Sequence, residues 1–390
     1  MVKHMMLTGL LCLCAGMLRA QEAVLQQIAE NNTELKALRQ QHAAQQEARQ
    51  AQQSATGPTV GAYYLPWGEH STGDYWEVEA SQTFAFPTVY GAQRSTRSAQ
   101  ASAEAQAYTQ RRQEILLSAQ ESCLRLVYCQ KQQALATGRL AQARKVLEHT
   151  QGRYAAQEVN KLAVHKARLA LLEAEMQAED WAHGQREELA TLRGLNGGQA
   201  IAWEATDYTQ PLDSLNQAAL WEQRLAQDPA LLAARGALRV AELQMNLTKQ
   251  RALPNVTVGA NYQGVPNSGY GGLFAGVSIP LWRNQAAQSS ARGRVAAQQL
   301  HITALEEQAR AQFEAQWGHY HHKLAQYQAY RATLSELDSE VFLYQAYTLG
   351  QLAYTEYFLE LSYYQRAQNT LLHLEQELHV LRARLLSFTL

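Results

Sequence analysis

The chain has 390 residues but only 8 prolines and 4 cysteines, and only 18% of its residues are charged. Prolines fall at 58, 66, 87, 211, 229, 254, 266 and 280, so 88–210 and 281–390 hold none. Proline inside a helix removes a hydrogen bond and clashes with the preceding turn, at about 3 kcal/mol. Two proline-free stretches of this length predict very long helices. A net charge of −1 leaves no basic field for nucleic acid, which excludes that class. Mean hydropathy of −0.37 excludes a polytopic helical membrane protein, and 46% apolar content excludes a disordered chain. No catalytic triad, phosphate loop or zinc-protease pair is present, so neither catalysis nor a cofactor is expected.

One apolar run stands out. Lys3 and His4 precede Met5–Leu18, and Leu18-Arg19-Ala20 follows, a pattern expected of a signal peptide (1–20) cut after Ala20. Cys12 and Cys14 would leave with it, and Leu13 before Cys14 fits a lipid-attachment signal poorly. Cys123 and Cys129 lie six apart on an expected helix, about 9 Å of rise. That is too far for a disulfide, so both are expected to be buried small apolar residues.

Self-comparison reveals a tandem repeat. Asn32-Thr33-Glu34-Leu35 matches Asp228-Pro229-Ala230-Leu231 at a shift of 196, as Pro58-Thr59-Val60 matches Pro254-Asn255-Val256. Gly61-Ala62-Tyr63-Tyr64 matches Gly259-Ala260-Asn261-Tyr262 at 198, and Phe84-Ala85-Phe86-Pro87 meets Val277-Ser278-Ile279-Pro280 at 193. Repeat 1 spans 21–196, a connector 197–216, and repeat 2 spans 217–390. Each copy reads as a helix (Ala23 to Gln53; Gln217 to Arg251), two strands, then a helical hairpin. The strands are expected at 58–66 and 75–87, then 254–263 and 271–281, with turns at 67–74 and 264–270. Trp76, Val78, Ala80, Phe84 and Phe86 share one face and Glu77, Glu79, Ser81 and Thr83 the other, a period of two broken by Gln82. The helices after Pro87 and Pro280 would each run 67 residues to Tyr154 and Tyr347. They turn near 152–160 and 348–354, and Ala99, Ala103 and Ala107 suit close helix packing.

Alternating strands on an exported chain point to a membrane barrel. Four strands cannot close one, since the smallest have eight, so a cyclic oligomer must share it. A trimer gives twelve strands. Trp67, Tyr75, Trp76, Tyr90, Tyr270 and Trp282 flank the strands as interface aromatics would, with Trp76 and Trp282 the leading candidates. Glu77 and Glu79 would then face the lumen. The competing structural reading is a periplasmic or cytoplasmic coiled-coil scaffold, which needs neither the strands nor the leader.

The repeat order, the turns at 31–35 and 228–232, the strand endings and the tip Tyr347-Thr348-Leu349-Gly350 resemble the TolC family of outer-membrane efflux proteins. The resemblance implies a mainly α chain with a β-barrel portion: a homotrimer with a 12-stranded barrel in outer-membrane lipid and an α-helical tunnel in the periplasm. It implies partnership with a periplasmic adaptor (membrane fusion) protein and an inner-membrane RND-type pump, and no enzymatic activity. Exit from a type I protein-secretion system is the alternative transport role. Glu356 matches an acidic position near the family's aperture and Glu360 lies one turn on, so both are expected at the periplasmic gate. Tyr154, Gln157, Tyr347, Gly350 and Tyr354 are expected at adaptor-facing hairpin tips. Gln157 stands where the family favours glycine, so that tip is expected to turn differently. The pattern from Tyr347 to Tyr357 is similar to the heavy-metal (Czc/Cus-type) branch, which suggests metal cations or small toxic compounds as cargo. His319, His321 and His322 form the one histidine cluster, expected to be a surface feature rather than a metal site.

Overall fold

The computed structural model describes residues 21–51, 57–67, 74–212, 215–265, 268–279, 284–335 and 339–390. Two compact units result. One comprises residues up to 36, 111–227 and 309–390, and the other comprises 37–110 and 228–308. Along the chain lie α1 (residues 21–31), α2 (Thr33–Ala51), β1 (Thr59–Leu65), β2 (Tyr75–Phe84), α3 (Pro87–Ala155) and α4 (Lys161–Leu195). The second copy supplies α5 (Gln217–Gln227), α6 (Pro229–Gln250), β3 (Asn255–Val265), β4 (Ser268–Ser278), α7 (Asn284–Ser335), α8 (Ser339–Thr348) and α9 (Tyr354–Leu385).

The expected first helix is two helices in each copy, and the break has a cause. Asn32 Oδ1 accepts from the Leu35 amide at 3.0 Å, capping α2, while Nδ2 donates to the Leu195 carbonyl at 2.9 Å, closing the end of α4. One side chain serves two helix ends. Asp228 holds the matching position, accepting from Ala230 and Leu231, with Pro229 as the first residue of α6. Gly197 (φ +64) packs so closely against this junction that a Cβ would sit 2.5 Å from the Asn31 carbonyl oxygen.

The sheet is antiparallel in the order β1-β2-β3-β4, so each repeat contributes one hairpin and β2 joins β3 between repeats. Strand boundaries differ from expectation at three places. β2 ends at Phe84 instead of 87, because Pro87 has no amide for the ladder and opens α3, where the Val89 amide returns to the Phe86 carbonyl at 2.9 Å. β3 and β4 run to Val265 and from Ser268, with Gly264 opposite Gly269, so the expected long turn is short. The glycines that suggested a loop instead let two backbones approach. β4 stops at Ser278, short of 281.

The tips of both hairpins turn alike, against expectation. At Gln157 (φ 63) the amide returns to Tyr154 O at 2.9 Å and Glu158 N to Arg153 O at 2.9 Å. At Gly350 (φ 72) the same pair runs to Tyr347 O (3.1 Å) and Ala346 O (2.9 Å). Both are left-handed helix closures. The backbone bonds, rather than the residue type, fix the turn.

The core of the unit containing the carboxyl end gathers Leu220, Phe313, Tyr320, Leu324, Leu378 and Phe388 from four segments. Cys123 and Cys129 are free and buried. Burial pushes their thiols up to about 12 and about 11, so neither is nucleophilic at neutral pH. In the other unit Gly236 meets α3, where a Cβ would collide with Gln106 and lie 3.5 Å from Ala103 Cα. Ala103 does serve close packing, but Ala107 is exposed.

Because a side chain at φ > 0 is strained, Gln157→Gly should raise the thermal midpoint by the equivalent of up to about 1 kcal/mol. Gly350→Ala should lower it by about as much. Asn32→Ala should cost about 1–2 kcal/mol through loss of the cap. Circular dichroism melts of the three variants check the order.

Candidate functional site

Three places carry the chemistry this chain can offer: the sheet, the hairpin tips and the connector. On the sheet the register places Val60, Ala62 and Tyr64 beside Ala80, Val78 and Trp76, and these beside Ala260, Tyr262 and Gly264. Leu273 and Val277 continue the same face. Gln82 is its one polar member among the paired residues, and the face is open: Val60 is 70% and Leu273 89% exposed. Trp76 and Tyr262 lie with rings 5.3 Å apart. The opposite face holds the cross-linked polar side chains, together with Leu65, Val265 and Phe274. The Tyr75 hydroxyl donates to Gln263 Oε1 at 2.5 Å, Asn261 Nδ2 donates to Glu77 Oε1 at 3.0 Å, and Thr83 and Thr257 hydroxyls meet at 2.9 Å. Glu77 and Glu79 are half-buried on that face. Tyr64 and Asp74 are bonded near the turn. Edge strands β1 and β4 contain no charged residue and no proline, the usual guards against further pairing. Tyr90, Tyr270 and Trp67 are exposed. Trp282 lies outside the described residues.

The tips are packed rather than presented. Tyr347 is 1% exposed, its hydroxyl 2.7 Å from Thr150 Oγ1, with its ring edge-on to His149 and stacked on Tyr357 at 4.9 Å. Tyr354 is buried in the same cluster, and burial pushes its phenol up to about 12. Tyr347 and Tyr354 are therefore internal struts and not the adaptor-facing residues expected of them; aromatic rings that meet across two hairpins are worth more packed than solvated. Tyr154 is exposed, as is Gln157, and Gly350 sits at the outer turn. Glu356 and Glu360 are both exposed on α9; Glu356 Oε2 accepts from the Ala353 amide at 3.0 Å, capping the helix as well as carrying charge. Behind the tip, Arg139, Gln142, Glu173, Glu340, Gln365 and Asn369 line a groove of about 630 Å³.

The connector held an arrangement that sequence reasoning missed. Lys131 Nζ sits 2.6 Å from Asp207 Oδ1 and 2.9 Å from Glu375 Oε2, and lies over the Tyr208 ring at 4.7 Å. Tyr208 in turn stacks on His379 at 4.0 Å. Burial alone would pull Lys131 down, but the two carboxylates outweigh it and its pKa ends raised. Asp207 ends lowered, burial opposing and Lys131 prevailing. Residues at 131, 207, 375 and 379 share no spacing that a motif search could find. His319, His321 and His322 are exposed, with His321 against Trp317 at 4.6 Å. Among the described residues no group of three metal-ligating side chains occurs, and no helix is long and apolar enough to cross a membrane.

With this geometry in hand, solved structures supply the comparison. CusC, in crystal structures reporting the changes that accompany its folding and transmembrane channel formation, is 15% identical, with a TM-score of 0.78 over 95% of this chain and 92% of that one. The Campylobacter jejuni CmeC outer membrane channel is 12% identical (TM-score 0.68, 95% and 85% covered), and the Vibrio cholerae outer membrane protein VceC 16% (0.68, 95% and 94%). The chain has the TolC-like channel fold. No protein-family model and no curated protein matches it by sequence.

His379 provides a pH test of the connector. Burial first, then Lys131 and Arg382, lower its pKa from 6.5 to about 3, with Asp207 opposing. The folded state excludes a proton that the unfolded one takes up, so docking weakens as pH falls below about 6.5, by about 1.4 kcal/mol per unit. Protection of the amides across 199–212, relative to their intrinsic exchange at each pH, should fall between pH 7 and pH 5, and His379→Asn should flatten that dependence.

Proposed function

We propose that the chain is the exit duct of a tripartite efflux system in the cell outer membrane. Three copies pool their strands into a 12-stranded barrel, and their helices form a tunnel through the periplasm. The observation that carries this is the sheet: one face apolar and open, the other holding the hydrogen-bonded polar side chains, with two unguarded edges. Lipid satisfies the first, a water-filled lumen the second and neighbouring copies the third. A coiled-coil scaffold has no use for any of them.

In this reading Glu77 and Glu79 face the lumen, and Trp76 with Trp282 marks the membrane interface. Glu356 and Glu360 stand at the periplasmic gate, where three copies of each make an acidic constriction that favours cations. Tyr154, Gln157 and Gly350 offer the exposed tip to a periplasmic adaptor, and an RND-type pump delivers the cargo. Metal cations or small toxic compounds fit that role, and the duct itself performs no covalent step.

Outer-membrane fractions should contain the protein as a trimer on unheated gels that becomes a monomer after boiling; a soluble monomer would overturn the reading. In single-channel recordings, Glu356→Ala combined with Glu360→Ala should reduce cation preference. Unchanged conductance and selectivity would remove the two carboxylates from the gate.

A further inference from the structure

Two carboxylates stand on one face of β2, two residues apart, and the sheet treats them differently. Glu77 Oε1 accepts from Asn261 Nδ2 at 3.0 Å. Glu79 pairs directly with Asn261 in the register, yet it receives no hydrogen bond or ion pair among the described residues. Asn261 leans the other way: its Oδ1 lies 2.9 Å from where a Cβ on Gly272 would stand. The donor nearest to Glu79 along the ladder is thus spent on Glu77. Glu79 is half-buried all the same.

Glycine and aromatic rings make up its surroundings. Across the sheet its row reads Gly61, Glu79, Asn261, Gly272. The Tyr63 ring folds back along β1 over Gly61, the direct partner of Glu79, with its Cε2 and hydroxyl 3.5 Å from where a Cβ on Gly61 would be. In the next row Thr59, Ser81, Gly259 and Phe274 lie abreast. There the Phe274 ring reaches across β3 so far that a Cβ on Gly259 would sit 2.5 Å from its Cε1 and Cζ. Side chains at 61 and 259 would crowd out both rings. An unpaired anion is therefore left with an aromatic ring over the backbone in its own row and another in the row beside it.

A carboxylate supplies charge, and a ring face attracts a cation through its quadrupole. The two together favour a weakly hydrated cation with apolar substituents over a small metal ion. A metal ion needs several ligand atoms to replace its water, and no group of three metal-ligating side chains occurs among the described residues.

We infer that Glu79, Tyr63 and Phe274 form a binding site for organic ammonium cations on the lumen face of the sheet. The inference rests on the duct proposed above and narrows its cargo to that class. In the trimer one such site per copy stands at the same height in the barrel, because rotation about the barrel axis preserves height. Carboxylates at the tip discriminate by charge alone, whereas this site also discriminates by what the charge is attached to.

Saturation-transfer NMR with benzyltrimethylammonium and the full chain in detergent tests the site. The wild-type trimer should transfer saturation to the probe, and Mg²⁺ should displace it no better than Na⁺ at equal ionic strength. Glu79→Gln should weaken binding about tenfold. Tyr63→Leu combined with Phe274→Leu should weaken it about fivefold although no charge is removed. Undiminished binding to Glu79→Gln, or stronger displacement by Mg²⁺, overturns the site. If the double ring variant binds like the wild type, Glu79 is only a surface charge and the site is overturned as well. Each variant is run unheated and boiled on gels, so that a lost signal is read only from an intact trimer. A wild-type trimer that binds no probe overturns the site and leaves the duct standing; a soluble monomer overturns both.

Discussion

A four-stranded sheet whose apolar face is bare and whose two edges are unpaired cannot be satisfied by the chain that carries it. Glu77, Glu79 and Asn261 share one face, so in the proposed barrel turning that face outward would bury all three in lipid. Rolling four strands on themselves would leave no interior. The unmet backbone groups of β1 and β4 are what the proposed oligomer must pair, before any helix is considered.

The tandem repeat solves each local problem twice with different residues. Asn32 and Asp228 break the first helix of their copies through the same side-chain oxygen. Asn32 can also donate, which Asp228 cannot, so only the first break is tied to the end of α4. Gln157 and Gly350 make one turn with a strained and an unstrained residue. What the two copies share is the set of backbone bonds. Sequence drift between them is tolerated wherever those bonds survive.

This explains what could be read in advance. The element order, the paired strand starts after Pro58 and Pro254, and the two faces of β2 follow from proline placement and period, which are local signals. Strand ends were misjudged where a local signal has two meanings: Gly264 and Gly269 read as loop but pair across a ladder, and Phe86-Pro87 read as strand but open a helix. The burial of Tyr347 and Tyr354 depends on His149 and Thr150, almost two hundred positions away, and the Lys131 cluster draws on three distant segments. Neither has a spacing to recognise.

The bare edges of β1 and β4 also bear on how the molecule is made. The unit holding Phe313, Tyr320 and Leu378 has its caps and its core within a single chain, so its folding waits for nothing. The edge strands β1 and β4 have no charge or proline to discourage a wrong partner, and in the proposed duct their correct one is another copy. Until such copies meet, each chain of the proposed duct carries an unpaired ribbon in water, and the concentration of fresh protein sets how long that hazard lasts. Assembly of the proposed duct is then a race between ring closure and aggregation at the same strand edges.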